Sequence, residues 1–328
     1  MWSSNTELSM LLDYQGLTSI IEKERIIMRR FTLALLLCLI MLVPALKAFS
    51  QDATQPGAAS DAVKLQYIFT AGDEYRNKIV VDVDVDLLGQ IPEFAGAVPK
   101  MTIKTIAVIK TKVNNVLQNG DAEISQQIES MSTDTMGQVQ NISPEKLPTF
   151  TAVMSPNGAL KNFKGLDEFY KLSPAFMGLS GLEEFGGGLP LNAVKTGDTW
   201  TQELPTPVGS GKIKVDSELL DANAKLGNYN AAIIREKTTG DLDMSTIMPS
   251  IAVNAGTDAS SQPAPKMTVH LSMEGKLYFS PDQGRLVRTE SSGVMQMNMS
   301  PSASDPSVGM MNPMNVSFPI KMEMSILP

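Results

Sequence analysis

The 328-residue sequence predicts a mainly β protein, built as two related antiparallel units that form a curved sheet or open barrel, with short helices near 165–184. Three observations predict it. Apolar and polar residues alternate over long stretches, the period of a strand with one buried face. Turn formers such as Asn119-Gly120-Asp121 and Ser155-Pro156-Asn157-Gly158 punctuate those stretches, which favours local antiparallel hairpins. Finally, two motifs recur at one offset. Gly72-Asp73-Glu74-Tyr75 returns as Gly197-Asp198-Thr199-Trp200, and Ser155-Pro156-Asn157-Gly158-Ala159-Leu160 returns as Ser280-Pro281-Asp282-Gln283-Gly284-Arg285-Leu286, both 125 residues later. Two independent pairs sharing one offset imply an internal duplication of the strand scaffold.

The first element is a leader, residues 1–50. Arg25, Arg29 and Arg30 precede an apolar run of 13 residues from Phe31 to Val43, Pro44 breaks it, and small residues follow at Ala45, Ala48 and Ser50. That order describes a secretory signal peptide spanning about 28–50 and cut after Ser50. Met28 stands where such a leader begins, so residues 1–27 read as a misassigned start. An uncleaved anchor is the alternative, but a bilayer span needs about 20 apolar residues. Lipidation of Cys38 is disfavoured, because Cys38 lies inside the apolar run behind Leu37. The chain is therefore expected to be exported, to the bacterial periplasm or beyond, with no stable membrane span once the leader is removed.

Beyond residue 50 the chain carries 22 basic and 31 acidic residues, a net charge of −9. A negative surface repels phosphate backbones, which argues against nucleic acid and anionic lipid surfaces as partners. Cys38 is the only cysteine, so no disulfide supports the exported part, as suits an envelope protein stabilised by its core alone.

Residues 51–62 form a small, polar lead-in. The first unit, 63–188, opens with a strand in which Ile79, Val81, Val83, Val85 and Leu87 share one face and Lys78, Asp82, Asp84 and Asp86 the other. Met101, Ile103, Ala107, Ile109 and Val113 repeat the pattern, with Lys104, Lys110 and Lys112 opposite. A further strand covers 122–128, and an extended stretch resumes at 160–163. Leu166, Phe169, Tyr170, Leu172, Phe176, Met177, Leu179 and Leu182 recur at three- and four-residue steps, which predicts helix, divided at Pro174. Gly186-Gly187-Gly188-Leu189-Pro190 links to the second unit, 189–328. Its strands are expected near 199–204, 211–220, 229–238, 267–279, 285–299 and 315–326, with loops at 253–265 and 300–314. Whether the two units are separate domains or one sheet is left open by the sequence.

Asp82-x-Asp84-x-Asp86 with Glu93 at the twelfth position resembles a calcium loop, but Leu87 occupies the sixth position, where the sharp turn requires glycine. The aspartates read instead as a solvated strand face able to pair with Lys104, Lys110 and Lys112. The methionines are more informative. Seventeen lie after residue 50 and eight fall between Met295 and Met324. Met295, Met297 and Met299 alternate along one strand, and Met322 and Met324 along the last. Thioethers select Cu(I), line adaptable apolar grooves, or simply fill a sheet core, and all three readings stand. Tyr75 and Trp200 sit where each strand needs a buried aromatic anchor, with sugar stacking as the lesser alternative.

Catalysis finds little support. His270 stands alone on an alternating strand, no Gly-x-Ser-x-Gly, His-Glu-x-x-His or phosphate-cradling loop is present, and Gly186-Gly187-Gly188 lacks a following lysine. No cofactor is expected, no metal site is assigned, and the chain is read as a non-enzyme.

With Gly72-Asp73-Glu74-Tyr75, Gly197-Asp198-Thr199-Trp200, both Ser-Pro turns, and Asn119-Gly120-Asp121-Ala122-Glu123-Ile124 in place, the chain from about residue 63 to its end resembles an uncharacterised family of exported bacterial proteins, a domain of unknown function. The family implies no activity. A looser likeness, by architecture alone, is to envelope lipoprotein carriers, in which a curved antiparallel sheet wraps an apolar cavity beside helices. The expected function is binding of an apolar or amphipathic ligand, lipid or peptide, by Met295, Met297, Met299, Met322 and Met324 together with Phe169 and Phe176. The alternatives are a structural or interaction protein with a filled core, and copper binding through methionine.

Overall fold

The computed structural model describes residues 62–85, 101–143, 145, 147, 149–165, 184–185, 188–205, 212–243, 266–300 and 314–328. Among them are thirteen strands: β1 (Glu74–Val85), β2 (Met101–Val116), β3 (Ala122–Thr135), β4 (Gln138–Ile142), β5 (Thr149–Met154), β6 (Leu160–Lys164), β7 (Glu184–Phe185), β8 (Thr199–Pro205), β9 (Lys212–Leu226), β10 (Tyr229–Asp243), β11 (Lys266–Ser280), β12 (Arg285–Ser300) and β13 (Met314–Leu327). All belong to one antiparallel sheet in the order β7-β6-β5-β3-β2-β1-β13-β12-β11-β10-β9-β8, with β4 paired to β3 off that path. The two units thus share a single sheet.

Almost every neighbour in that order is also a neighbour in sequence, because short turns make antiparallel hairpins. β3 is shared along one edge: Met131–Thr135 pairs with β4, and Ala122–Gln127 pairs with β5. One long-range pairing joins the halves, β1 with β13, from Arg76 opposite Leu327 to Val83 opposite Ile320. At the ends of the order stand β7 and β8, consecutive in the chain yet not paired with each other. The sheet is therefore curved and not closed.

Alternation sets the two faces. On β1, Ile79, Val81 and Val83 are buried; on β9, Ile213, Val215 and Leu219; on β13, Val316, Phe318, Ile320, Met322 and Met324. All of these except Ile213 and Val215 join one core cluster drawn from both halves. The outer face carries the charges: Glu74 with Lys110 (2.7 Å) and Lys112 (3.4 Å), Arg76 with Glu129 (2.7 Å), Asp82 with Lys104 (3.8 Å), and Arg235 with Glu218. Asp82 meets Lys104 as the alternation implies, whereas Lys110 and Lys112 turn to Glu74 rather than to the aspartates, because Glu74 is the β1 residue opposite Lys112. Glycines mark where neighbouring strands approach most closely. A Cβ on inward-facing Gly293 of β12 would lie 2.1 Å from the Ser272 carbonyl oxygen, and one on Gly275 of β11 would lie 2.3 Å from that of Glu290.

The recurring motifs adopt matching geometry. Gly72 N–H donates to Val113 O and Val113 N–H to Asp73 O; Gly197 N–H donates to Leu219 O and Leu219 N–H to Asp198 O. Both glycines are left-handed, at φ 91° and 92°. Residues 63–69 run as a strap across both Ser-Pro turns. Tyr67 N–H donates to Pro156 O (2.6 Å), Ile68 N–H to Gly284 O (3.0 Å), and Val63 exchanges two backbone bonds with Val194.

β3, β9 and β10 run several residues past their expected ends, whereas β8, β11, β12 and β13 match the expected spans to within one residue at each end. β4 and β5 were not anticipated. The helices expected near 165–184 and the loop at 253–265 lie outside the described residues, as do residues 301–313 of the second expected loop. At the margin of the helical span, Glu184 is a strand residue rather than a helical one, because its backbone pairs with Lys161 of β6. Among the described residues, no helix is long and apolar enough to cross a membrane.

Candidate functional site

The predicted site residues divide. Met295 and Met297 on β12 and Met322 and Met324 on β13 are all buried on the inner face. Met299 stands on β12 opposite Met314. Phe169 and Phe176 lie outside the described residues. The register separates the methionines into two patches: Met295 is opposite Phe318 and Met297 opposite Val316, whereas Met322 faces Ser291 and Met324 faces Thr289. Val316 and Met322 are six residues apart on one strand, about 20 Å at strand rise. Met295 and Met297 thus sit on one stretch of the inner face, and Met322 and Met324 on another.

Beside Met322 runs a polar line that the sequence reading passed over. Directly opposed residues on adjacent strands are Ser217 (β9), Glu236 (β10), Gly275 (β11), Ser291 (β12) and Met322 (β13). One step along the strands, Gln202, Val215 and Thr238 form a parallel row, and Thr289 faces Leu277. Gln202, Ser217, Glu236, Thr238 and Thr289 are all more than nine-tenths buried. Among the described residues, the buried polar side-chain atoms without a hydrogen-bond partner are Asn77 Oδ1, both amide atoms of Gln202, Ser217 Oγ and Thr289 Oγ1. All but the first belong to the second half. By contrast, the inward polar groups of β2 find partners: Thr105 bonds Thr133 at 3.0 Å, and Thr111 accepts from Gln126 at 3.4 Å.

Gly275 is forced by the close approach of β12, where a Cβ would collide with Glu290 and Ser291. Gly275 also lines a cavity of about 40 Å³, together with Glu236, Thr238, Thr289, Ser291 and Met322, among others. A single water needs about 10–15 Å³ measured this way, so the cavity takes a few waters or the end of a larger molecule. Met297 is not part of it. A signal for this site was present in the sequence: along Ala232, Ile234, Glu236, Thr238, Gly240, the inward positions of an apolar strand turn polar.

Open clefts lie elsewhere among the described residues. One of about 770 Å³ borders β3, β5 and β6, lined by Ile124, Ala152, Phe163, Asn114, Glu123 and Lys164, among others. Another, about 470 Å³, includes Lys212, Asp241 and His270, where His270 Nδ1 is 2.7 Å from the Asp241 carboxylate on the exposed face. His270 is thus solvent-facing and hydrogen-bonded to Asp241. Among the described residues, no three His, Cys, Asp or Glu side chains are grouped to hold a metal. Tyr75 and Trp200 are half-buried anchors; Trp200 donates to Gly188 O at 3.0 Å, and burial, reinforced by Tyr67, pushes the Tyr75 phenol up.

No family model matches the sequence, and none of the curated proteins is similar to it. Among solved structures, a lipovitellin structure concerned with lipid–protein interactions shares 10% identity and a TM-score of 0.42 over 79% of this chain, which spans 25% of that chain's length. DynF, from the dynemicin biosynthesis pathway of Micromonospora chersina, shares 8% identity and a TM-score of 0.22, covering 85% of this chain and 93% of DynF.

Proposed function

We propose that the chain is an exported, non-enzymatic binding protein for an apolar or amphipathic ligand, a lipid or a peptide, held on the inner face of the curved sheet. One observation carries this reading: within an apolar interior, Gln202, Ser217 and Thr289 are buried with polar atoms left open. A buried polar group costs about 1–3 kcal/mol when unpartnered. A finished core satisfies such groups, whereas a ligand site commonly pairs an apolar lining with a few convergent polar atoms. The methionines around them, Met273 and Met322, adjust to varied shapes with little strain. The negative charge of the chain supports a partner other than nucleic acid.

Native mass spectrometry of the protein purified from its own envelope tests this. A co-purifying lipid or peptide is the expected result. A bare mass, with no uptake of added lipid, would overturn it. A structural role with a filled core is the second reading, favoured by the low exposure of Met295, Met297, Met322 and Met324, none above 6%.

A further inference from the structure

Where the short turns gather, one peptide group touches both edges of the sheet. The carbonyl of Gly188 accepts from Trp200 Nε1 on β8 at 3.0 Å. The N–H of Leu189, in the same planar unit, donates to Asn157 O at 3.2 Å. Asn157 stands in the turn between β5 and β6. β6 lies next to one end of the strand order and β8 at the other, and among the described residues the two do not pair. A sheet left open along its seam is thus pinned at one end through a single amide.

The strap of residues 63–69 braces that pin. Val63 exchanges backbone bonds of 2.7 and 2.9 Å with Val194, on the same linker as the pinning amide. Farther on, Tyr67 N–H reaches Pro156 O in the first Ser-Pro turn, and Ile68 N–H reaches Gly284 O in the second. Leu65, Tyr67, Leu189 and Val194 are all buried and belong to the core cluster. Tyr67 also packs edge-on against Phe279, with ring centroids 5.3 Å apart. Apart from the isolated bridge at Val63 and Val194, the strap belongs to no ladder. A segment held by packing and scattered backbone bonds opens more readily than the ladders around it.

We propose that residues 63–69 and 188–194 form a releasable clasp. While it is closed, β6 and β8 are held together at the turn end. When the strap lifts, the two edges part and the inner face opens along the seam between them. The clasp is a property of the fold and holds whatever the inner face binds.

Native-state hydrogen exchange of the full chain, resolved by peptide, tests this. Trp200→Phe keeps an aromatic ring and removes the indole N–H. Exchange is expected to quicken about fivefold, the loss of one hydrogen bond, at β8 and also at β6 near the far edge. β1 and β13, in the middle of the order, are expected to stay unchanged. Quickening at β8 alone would overturn the clasp, since a purely local packing role gives that result. A second variant works in the opposite direction. Val63 and Val194 form a hydrogen-bonded antiparallel pair, whose Cα atoms lie about 5.5 Å apart, within reach of a disulfide. Val63→Cys with Val194→Cys, in a chain carrying Cys38→Ser, is compared oxidised and reduced, so both forms share every side chain. Oxidation is expected to slow exchange at β6 and β8 together by about tenfold or more. Slowing confined to the strap, with both edges unchanged, would sink the proposal.

Discussion

The guanidinium of Arg285 lies over the Tyr75 ring, 5.8 Å from its centroid, and 3.8 Å from the Asp73 carboxylate. Arg285 follows the Ser-Pro turn of the second half, and Tyr75 follows the Gly-Asp turn of the first, so the two recurring motifs touch across the halves. A cation over a partly desolvated ring contributes about 0.5–2 kcal/mol, and an ion pair at this distance adds little. Arg285→Ala is therefore expected to lower unfolding stability by about 1 kcal/mol in urea. Arg285→Lys should recover only part of it, since a planar guanidinium stacks on an aromatic face better than an ammonium does.

Two left-handed glycines separate strain from crowding. Gly72, at φ 91°, has open space around its Cβ position, so Gly72→Ala carries only the left-handed cost, about 1–2 kcal/mol. Gly284, at φ 57°, would bring a Cβ to 2.3 Å from the Ile68 backbone nitrogen. Gly284→Ala should cost clearly more and release the strap, seen as lost hydrogen-exchange protection at the Ile68 amide. Equal costs for the two substitutions would refute this account of the strap.

Gln202 is 1% exposed with neither amide atom partnered. Gln202→Met keeps length and removes the unsatisfied groups. The ligand-free protein should gain about 1 kcal/mol or more of stability, measured by chemical denaturation. A loss would show that the amide is satisfied in solution by ordered water.

Core and groove roles for methionine differ in what truncation costs. Met322 is packed between Val81 and Ser291 on its neighbouring strands and is 3% exposed. Met322→Ala is expected to cost about 2–5 kcal/mol, and Met322→Leu less than about 1.5. A cost of Met322→Ala well under 2 kcal/mol would mark it as groove lining rather than core.

The outer ion pairs give the protein an acid-side dependence. The Lys110 ammonium bonded to Glu74 holds that carboxyl below its ordinary 4.5, with Lys112 adding, and Arg76 does the same to Glu129. A carboxyl lowered in the folded state contributes stability that is complete above its unfolded value and lost as pH falls through the folded one. Stability should thus be level near neutrality and decline below about pH 4.5, with a shallower decline in Glu74→Gln and Glu129→Gln. Added salt should flatten it further.

The local pattern made most strands legible. Ile79, Val81 and Val83, or Phe318, Ile320, Met322 and Met324, declare one buried face by alternation alone. β5 escaped notice because Phe150, Ala152 and Met154 give only three inward positions before the Ser155 turn. β4, Gln138-Val139-Gln140-Asn141-Ile142, is mostly polar on both faces and exists because β3 offers an edge. The pairing of β1 with β13 was not legible, since alternation fixes a face but names no partner across 240 residues of chain. The polar line through Ser217, Glu236 and Ser291 was missed for a related reason: each residue is unremarked on its own strand, and only the register of four strands sets them in one row.

The β1–β13 pairing has a consequence for how the chain is made. Synthesis proceeds from the N-terminus, and each hairpin can form as soon as its second strand emerges. β1 is different, because one of its edges waits for β13, the last of the described strands in chain order. Until then a twelve-residue strand containing Ile79-Val80-Val81 presents unpaired amides and carbonyls, a template for another chain. Lys78, Asp82 and Asp84 along that edge act as gatekeepers during the delay. The hazard of this architecture lies in the interval before closure, and truncation at the C-terminus would make that interval permanent.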